Sequence, residues 1–128
     1  MPFQPPATPF FATQRDEKPW GHELLWAWTD RYVGKILHVR AGECLSLQYH
    51  RAKDETLSVL SGSLLLEHGA HESGLSQRVL GAGDCFRVTP GTRHRLTARE
   101  DSDVLEVSTP ELGDVVRLED RYGRADTR

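Results

Sequence analysis

Apolar and polar residues alternate along most of the chain, and a period of two is typical of β-strands with one buried face. In the clearest run, 44–50, the residues Cys44, Ser46, Gln48 and His50 share one face. Turns containing glycine or proline separate this run from the others, and no stretch shows a convincing helical period. We predict further strands at 22–28, 32–40, 56–60, 63–68, 77–80, 85–88, 93–98 and 104–109. The pattern therefore predicts an all-β sandwich or barrel.

Residues 1–17 do not share this pattern, because prolines at positions 2, 5, 6 and 9 exclude a helix or a central strand. We expect an extended or disordered segment here. Its phenylalanines, Phe3, Phe10 and Phe11, favour docking on the barrel or across a dimer, and a partly disordered leader is the alternative. Residues 18–128 then form one domain, since 128 residues suffice for one hydrophobic core.

Polar side chains with metal-ligand chemistry fall on the predicted inner face. Gln48 and His50 point the same way along their strand, and the turn that follows it leads to Glu55 at the start of the next strand. A glycine turn and a Pro90-Gly91 turn precede His94, which shares a face with Leu96 and Ala98. A buried histidine needs a polar partner. The pattern is typical of a cluster of metal ligands.

These two stretches resemble the signature motifs of the cupin superfamily, roughly G-x5-H-x-H-x4-E-x6-G and G-x5-P-x-G-x2-H-x3-N. Gly42, His50, Glu55 and Gly62 match the first motif, and Gly83, Gly91 and His94 align with the second. The resemblance implies a double-stranded β-helix, or jelly-roll, barrel. It also implies one divalent metal ion (Zn, Mn, Co, Ni or Fe), with the ligands Gln48, His50, Glu55 and His94.

Gln48 stands where most cupins have their first histidine, a replacement that resembles the type II mannose-6-phosphate isomerases and the C-terminal domains of fused mannose-1-phosphate guanylyltransferases. This resemblance implies aldose–ketose isomerisation of a phosphorylated sugar, with Glu55 as the candidate base. It also implies that Arg117 or Arg124 anchors the phosphate. The chain departs from the isomerase pattern at Arg51, Ala52 and Leu57, and from the second cupin motif at Thr89 and Ala98.

Several alternatives stay open. Lys35 lies among inward apolar residues and is a candidate phosphate or carbonyl ligand, although a lysine that extends to the surface is the more ordinary interpretation. The mixed charges of residues 114–124 are also typical of a solvated edge. As a second hypothesis, His50, Glu55 and His94 form a two-histidine, one-carboxylate set that suits iron(II) and dioxygen. A cupin can also bind a sugar or another small molecule without catalysis.

The amino-acid composition argues against some classes of binding partner. A net charge of −3 gives no basic surface for nucleic acid or an anionic membrane. No apolar run approaches the length of about 20 residues that a membrane span needs, and no secretory signal is evident, so we expect a cytoplasmic protein. Cys44 and Cys85 are expected as reduced core residues. The aromatic N-terminal segment and the resemblance to cupins, which are often dimeric, lead us to expect a homodimer.

Overall fold

The computed structural model describes residues 5–126, which form strands joined by turns and contain no helix. The strands follow from the alternating pattern, which gives each a buried and an outward face. Consistent with this, no helix in the described residues is long and apolar enough to cross a membrane. The strands are β1 (Gln14–Lys18), β2 (Gly21–Trp28), β3 (Val33–Val39), β4 (Leu47–Tyr49), β5 (Glu55–Ser61), β6 (Ser63–Gly69), β7 (Ser76–Gly81), β8 (Cys85–Val88), β9 (Arg93–Ala98), β10 (Ser102–Ser108) and β11 (Val116–Glu119).

Two antiparallel sheets make up the domain. The six-stranded sheet has the order β1-β2-β3-β10-β5-β8, and the five-stranded sheet has the order β11-β4-β9-β6-β7. Their inner faces pack a core that includes Leu37, Val39, Leu64, Leu66 and Val104, each at most 2% exposed. The expected all-β jelly roll is confirmed. The polar cavity described below lies where β1, β2 and β3 face β4 and β11.

The predicted strands are present, with shifted ends. The largest shift is in the 44–50 run, where only Leu47–Tyr49 forms a continuous strand and Cys44 makes an isolated bridge to Thr97. The inward face predicted for His94, Leu96 and Ala98 is confirmed, since all three are buried. The expectation for Cys85 is wrong: Cys44 is buried, but Cys85 lies on the outward face of the edge strand β8 and is exposed.

Two edge strands lie in stretches that show no strand pattern in the sequence. β1 begins at Gln14, inside the segment 1–17, and crosses the boundary expected at residue 18; Phe3 lies outside the described residues. β11 lies in the charged stretch 114–124 and pairs with β4. Neither strand has a clear alternation of apolar and polar residues. Their positions follow from backbone pairing with β2 and β4, and charged side chains are common on edge strands.

Candidate metal centre and ligand cavity

Three buried side chains from different parts of the sheets converge on one point. His50 directly follows β4, Glu55 opens β5 and His94 lies in β9. Glu55 Oε1 is 3.0 Å from His50 Nε2 and 3.4 Å from His94 Nε2. These residues are only 3–4% exposed. Among the histidine, cysteine and acidic side chains of residues 5–126, these three form a group that could hold a metal ion, because their potential ligand atoms lie within 4.8 Å of one another.

The backbone orients both imidazoles. His50 Nδ1 hydrogen-bonds to the carbonyl oxygen of Asp114, and His94 Nδ1 to that of Thr92. Because a carbonyl oxygen only accepts, each Nδ1 carries a hydrogen and each Nε2 faces the cluster. Such outer hydrogen bonds are the usual way in which proteins hold metal-binding histidines.

The cluster needs positive charge at its centre. Two neutral imidazoles would aim Nε2 lone pairs at a carboxylate oxygen, which is unfavourable unless protons or a cation lie between them. Burial lowers the pKa of His50, but the Glu55 carboxylate and the Asp114 carbonyl raise the pKa more, so the net shift is upward. Glu55 Oε2 accepts no hydrogen bond from the described residues. This donor set fits a divalent ion.

Gln48 lies beside the cluster, directly opposite His94 in the β4–β9 pairing. Its amide nitrogen is 3.5 Å from His94 Nε2, and its Oε1 accepts a hydrogen bond from Ser46 Oγ at 2.9 Å. A 180° rotation of the amide would turn Oε1 towards the cluster and leave Ser46 Oγ to accept from Nε2. The structure thus brings together all four residues expected as ligands, with the amide oxygen of Gln48 turned away.

A buried ion-pair network, which sequence reasoning missed, adjoins the cluster. Lys53 Nζ is 3.4 Å from Glu55 Oε2 and 3.3 Å from Glu106 Oε2. Burial lowers the pKa of Lys53, but both carboxylates raise it more. Burial, followed by the charge of Glu55, raises the pKa of Glu106. The inward position of Glu106 could have been predicted, because Glu106 is two residues from both Val104 and Ser108 and so lies on the same face of the strand. Lys53, in a polar turn, gave no such signal.

The cluster opens into a polar cavity of about 120 Å³. Lys35 lines one wall, where it pairs with Glu23 at 3.0 Å; it is only 15% exposed, so the surface interpretation of this lysine is wrong. Arg117 and Arg124 line the opposite wall. Arg124 binds the Asp120 carboxylate through both Nε and Nη2. The guanidinium of Arg117, by contrast, has no hydrogen-bond or ion-pair partner within residues 5–126.

The family model of the cupin domain matches residues 35–109, which contain the three converging side chains. The chain belongs to the cupin family. The cupin resemblance stated from the motifs is thereby confirmed.

Two curated proteins are similar to this cupin over most of its length. It is 32% identical over 112 residues to the mannose-1-phosphate guanylyltransferases of Salmonella typhimurium (ManC) and Escherichia coli. The match covers 84% of this chain but only 22% of either enzyme, so the cupin spans about a fifth of these relatives.

Solved structures share the fold at lower sequence identity. KdgF from Halomonas sp. superposes with a TM-score of 0.66 at 23% identity, over 80% of this cupin and 91% of KdgF. Oxalate decarboxylase from Bacillus subtilis gives a TM-score of 0.72 at 17% identity, over 83% of this cupin and 30% of that chain. At these identities the likeness shows the architecture alone.

Proposed function

We propose that this cupin is a metal-dependent isomerase of a phosphorylated sugar, of the mannose-6-phosphate isomerase type. The main support is that Arg117, whose guanidinium is unpaired within residues 5–126, lines the same cavity as His50 and Glu55 of the cluster. A buried metal-ligand set with an unpaired arginine nearby suits a substrate that has both a carbonyl and a phosphate. The similarity to mannose-1-phosphate guanylyltransferases favours a mannose phosphate.

Substrate binding follows from the two walls of the cavity. Arg117 holds the phosphate in a planar, bidentate contact, because its guanidinium has no competing carboxylate among the described residues. Arg124 is committed to Asp120, so its part in binding is secondary and its main effect is to hold the C-terminal turn. Lys35 and Glu23 face the sugar hydroxyls from the other wall.

His50, Glu55 and His94, with Gln48 after rotation of its amide, would hold the metal ion. A divalent ion there supplies a Lewis acid for the carbonyl and the adjacent hydroxyl. Glu55 is the base if its carboxylate moves away from the cluster. Glu106 lines the same cavity outside the cluster, and Lys53 holds its carboxylate at 3.3 Å. Glu106 is therefore placed to carry the C2 proton while Glu55 stays with the two histidines.

The test is interconversion of mannose 6-phosphate and fructose 6-phosphate by protein loaded in turn with Zn, Mn, Co, Ni and Fe. We expect turnover that is lost in Glu55→Gln and strongly reduced in Glu106→Gln. Glu111→Gln, an exposed substitution, is the control. A metal-loaded protein that turns over no hexose phosphate would contradict the proposal.

A second candidate is supported by the orientation of Gln48. With its amide oxygen bonded to Ser46, the remaining set is two histidines and one carboxylate, which suits iron(II) and dioxygen. Substrate-dependent oxygen uptake by the iron-loaded protein would identify this function. Binding without catalysis is the third candidate, and a hexose phosphate that raises the melting temperature without turnover would identify it. The homodimer and the cytoplasmic location stay predictions.

A further inference from the structure

Across the Lys35–Glu23 ion pair, the ligand cavity borders a second cavity that the proposed reaction does not use. This second cavity has a volume of about 160 Å³ and shares Lys18, Glu23 and Lys35 with the first. Gln14 and Asp16 complete its polar lining. Because the two cavities share these side chains, they adjoin each other, and the candidate metal centre lies in the first. We call the two adjoining cavities the groove.

Exposure of the side chains along the groove shows where it opens. Lys35 on β3 is 15% exposed and Glu23 on β2 is 18% exposed, whereas Lys18 and Asp16 on β1 are 25% and 53% exposed. The gradient follows the strand order β3, β2, β1 to the edge of the six-stranded sheet. A ligand longer than one sugar can therefore extend towards β1 without displacing core residues.

The charges of this wall cancel. Asp16 lies directly opposite Glu23 in the β1–β2 register, which alone would be repulsive. Lys18 pairs with Asp16 at 3.0 Å and Lys35 pairs with Glu23 at 3.0 Å, so two ammonium groups balance two carboxylates. Ammonium groups donate hydrogen bonds and carboxylates accept them, so the wall offers both partners that a sugar hydroxyl needs. A second anionic group on the ligand would gain little here, because two carboxylates would repel it while two lysines attract it.

We infer that the substrate is longer than a single sugar phosphate, and that the second cavity binds an uncharged, hydroxyl-rich unit such as a second glycosyl residue. This inference rests on the proposed function, which puts the phosphorylated sugar against Arg117 and the metal centre. Lys18, Asp16, Glu23 and Lys35 then determine which extended substrates are accepted.

Calorimetry of the metal-loaded protein tests the inference with hexose 6-phosphates that carry, or lack, a second hexosyl unit on O3 or O4 in either anomeric form, so that C1 and the C2 hydroxyl stay free for isomerisation. We expect at least one disaccharide phosphate to bind about tenfold more tightly than its monosaccharide counterpart. Asp16→Ala/Lys18→Ala should bring this affinity ratio close to one. Arg15→Ala/Glu17→Ala is the matched control, because it removes an ion pair from the outward face of the same strand, and it should retain the ratio.

Other outcomes would overturn the inference. Equal affinity for every pair would exclude the second subsite and leave the sugar-phosphate function intact. Tighter binding of a nucleoside diphosphate sugar than of any disaccharide phosphate would show that the extension is anionic. Failure of both members of every pair to bind would remove the proposed function and the inference together. Circular dichroism shows whether each double variant is folded, and loss of the ratio in the control alone would place the effect on the outward face.

Discussion

The ammonium nitrogen of Lys53 lies 3.3 Å from a carboxylate oxygen of Glu106, in the wall of the ligand cavity. Both side chains are less than a tenth exposed, and Lys53 also contacts Glu55. The lysine therefore separates two buried carboxylates that would otherwise repel each other. This arrangement makes the stability of the domain and the charge around the candidate metal centre depend on the same residue.

Replacing Lys53 with methionine should be strongly destabilising, because it leaves Glu55 and Glu106 without their shared cation. Breaking a buried ion pair costs about 3–5 kcal/mol in the free energy of unfolding. Urea denaturation measures this loss. The double variant Lys53→Met/Glu106→Gln should lose less than the sum of the two single variants. Arg87→Met, which breaks an exposed ion pair with Asp54, is the control and should change the urea midpoint of unfolding little. An equally small effect of Lys53→Met would contradict the role of the buried ion-pair network.

Removal of a ligand histidine should abolish metal binding. Either His50→Ala or His94→Ala should weaken binding of a divalent ion by more than about 100-fold, the upper end for loss of an outer partner of a metal ligand. Isothermal titration and elemental analysis measure the effect. His71→Ala, in an exposed turn, is the control. Gln48→His should tighten binding, because imidazole is the stronger ligand for these metals. Unchanged metal affinity in all three site variants would show that the metal binds at another site.

The two arginines of the cavity wall should differ in their effect on substrate. Arg117→Gln should raise KM for a hexose phosphate roughly 10- to 100-fold, since a charge-assisted hydrogen bond contributes about 1.5–3 kcal/mol. Arg124→Gln should have a smaller effect on KM and lower the melting temperature, because it frees Asp120. Steady-state kinetics and thermal unfolding separate the two effects. A larger effect on KM in Arg124→Gln than in Arg117→Gln would mean that Arg124, and not Arg117, is the main phosphate ligand.

Asp114 should stabilise the fold in a pH-dependent way. Its carboxylate accepts hydrogen bonds from the backbone N–H groups of Arg51, Ala52 and Lys53. Burial raises the pKa of Asp114, but these three donors outweigh it and lower the pKa to about 2. A lowered pKa means that the stabilisation is complete above the unfolded value of about 4 and is lost as the pH falls towards 2.

Asp114→Asn should accordingly lower the melting temperature at pH 7, and its difference from the unmodified protein should narrow as the pH falls from 4 to 2. Thermal unfolding across this range measures both effects. Asp30→Asn, in an exposed turn, is the control and should match the unmodified protein throughout. A difference that stays constant with pH would mean that the charge of Asp114 plays no part.

The sequence was most informative where one strand faces the core on one side. The alternation around His94, Leu96 and Ala98 predicted their burial, and the spacing from His50 to Glu55 predicted that these side chains meet. It also put Lys35 on one face with Val33, Leu37 and Val39, but the more ordinary interpretation, a lysine that extends to the surface, missed its pairing with Glu23. These features depend on local geometry, because successive side chains of a strand point to opposite faces whatever the rest of the fold does.

Pairings over long separations were decided by the tertiary structure. β1 and β11 are strands because β2 and β4 offer them edges, and their own side chains carry little strand pattern. Lys53 is buried because Glu106, 53 residues away in the chain, supplies its charge partner.

The sequence by itself therefore determined the strands other than β1 and β11, the all-β class and the side chains that could bind a metal. Only the tertiary structure decided which cations of the cavity are already paired, and within residues 5–126 it leaves the guanidinium of Arg117 without a partner. The physical reason is that a period of two sets the direction of each side chain, whereas the partner of a charge depends on which strands the sheets bring together.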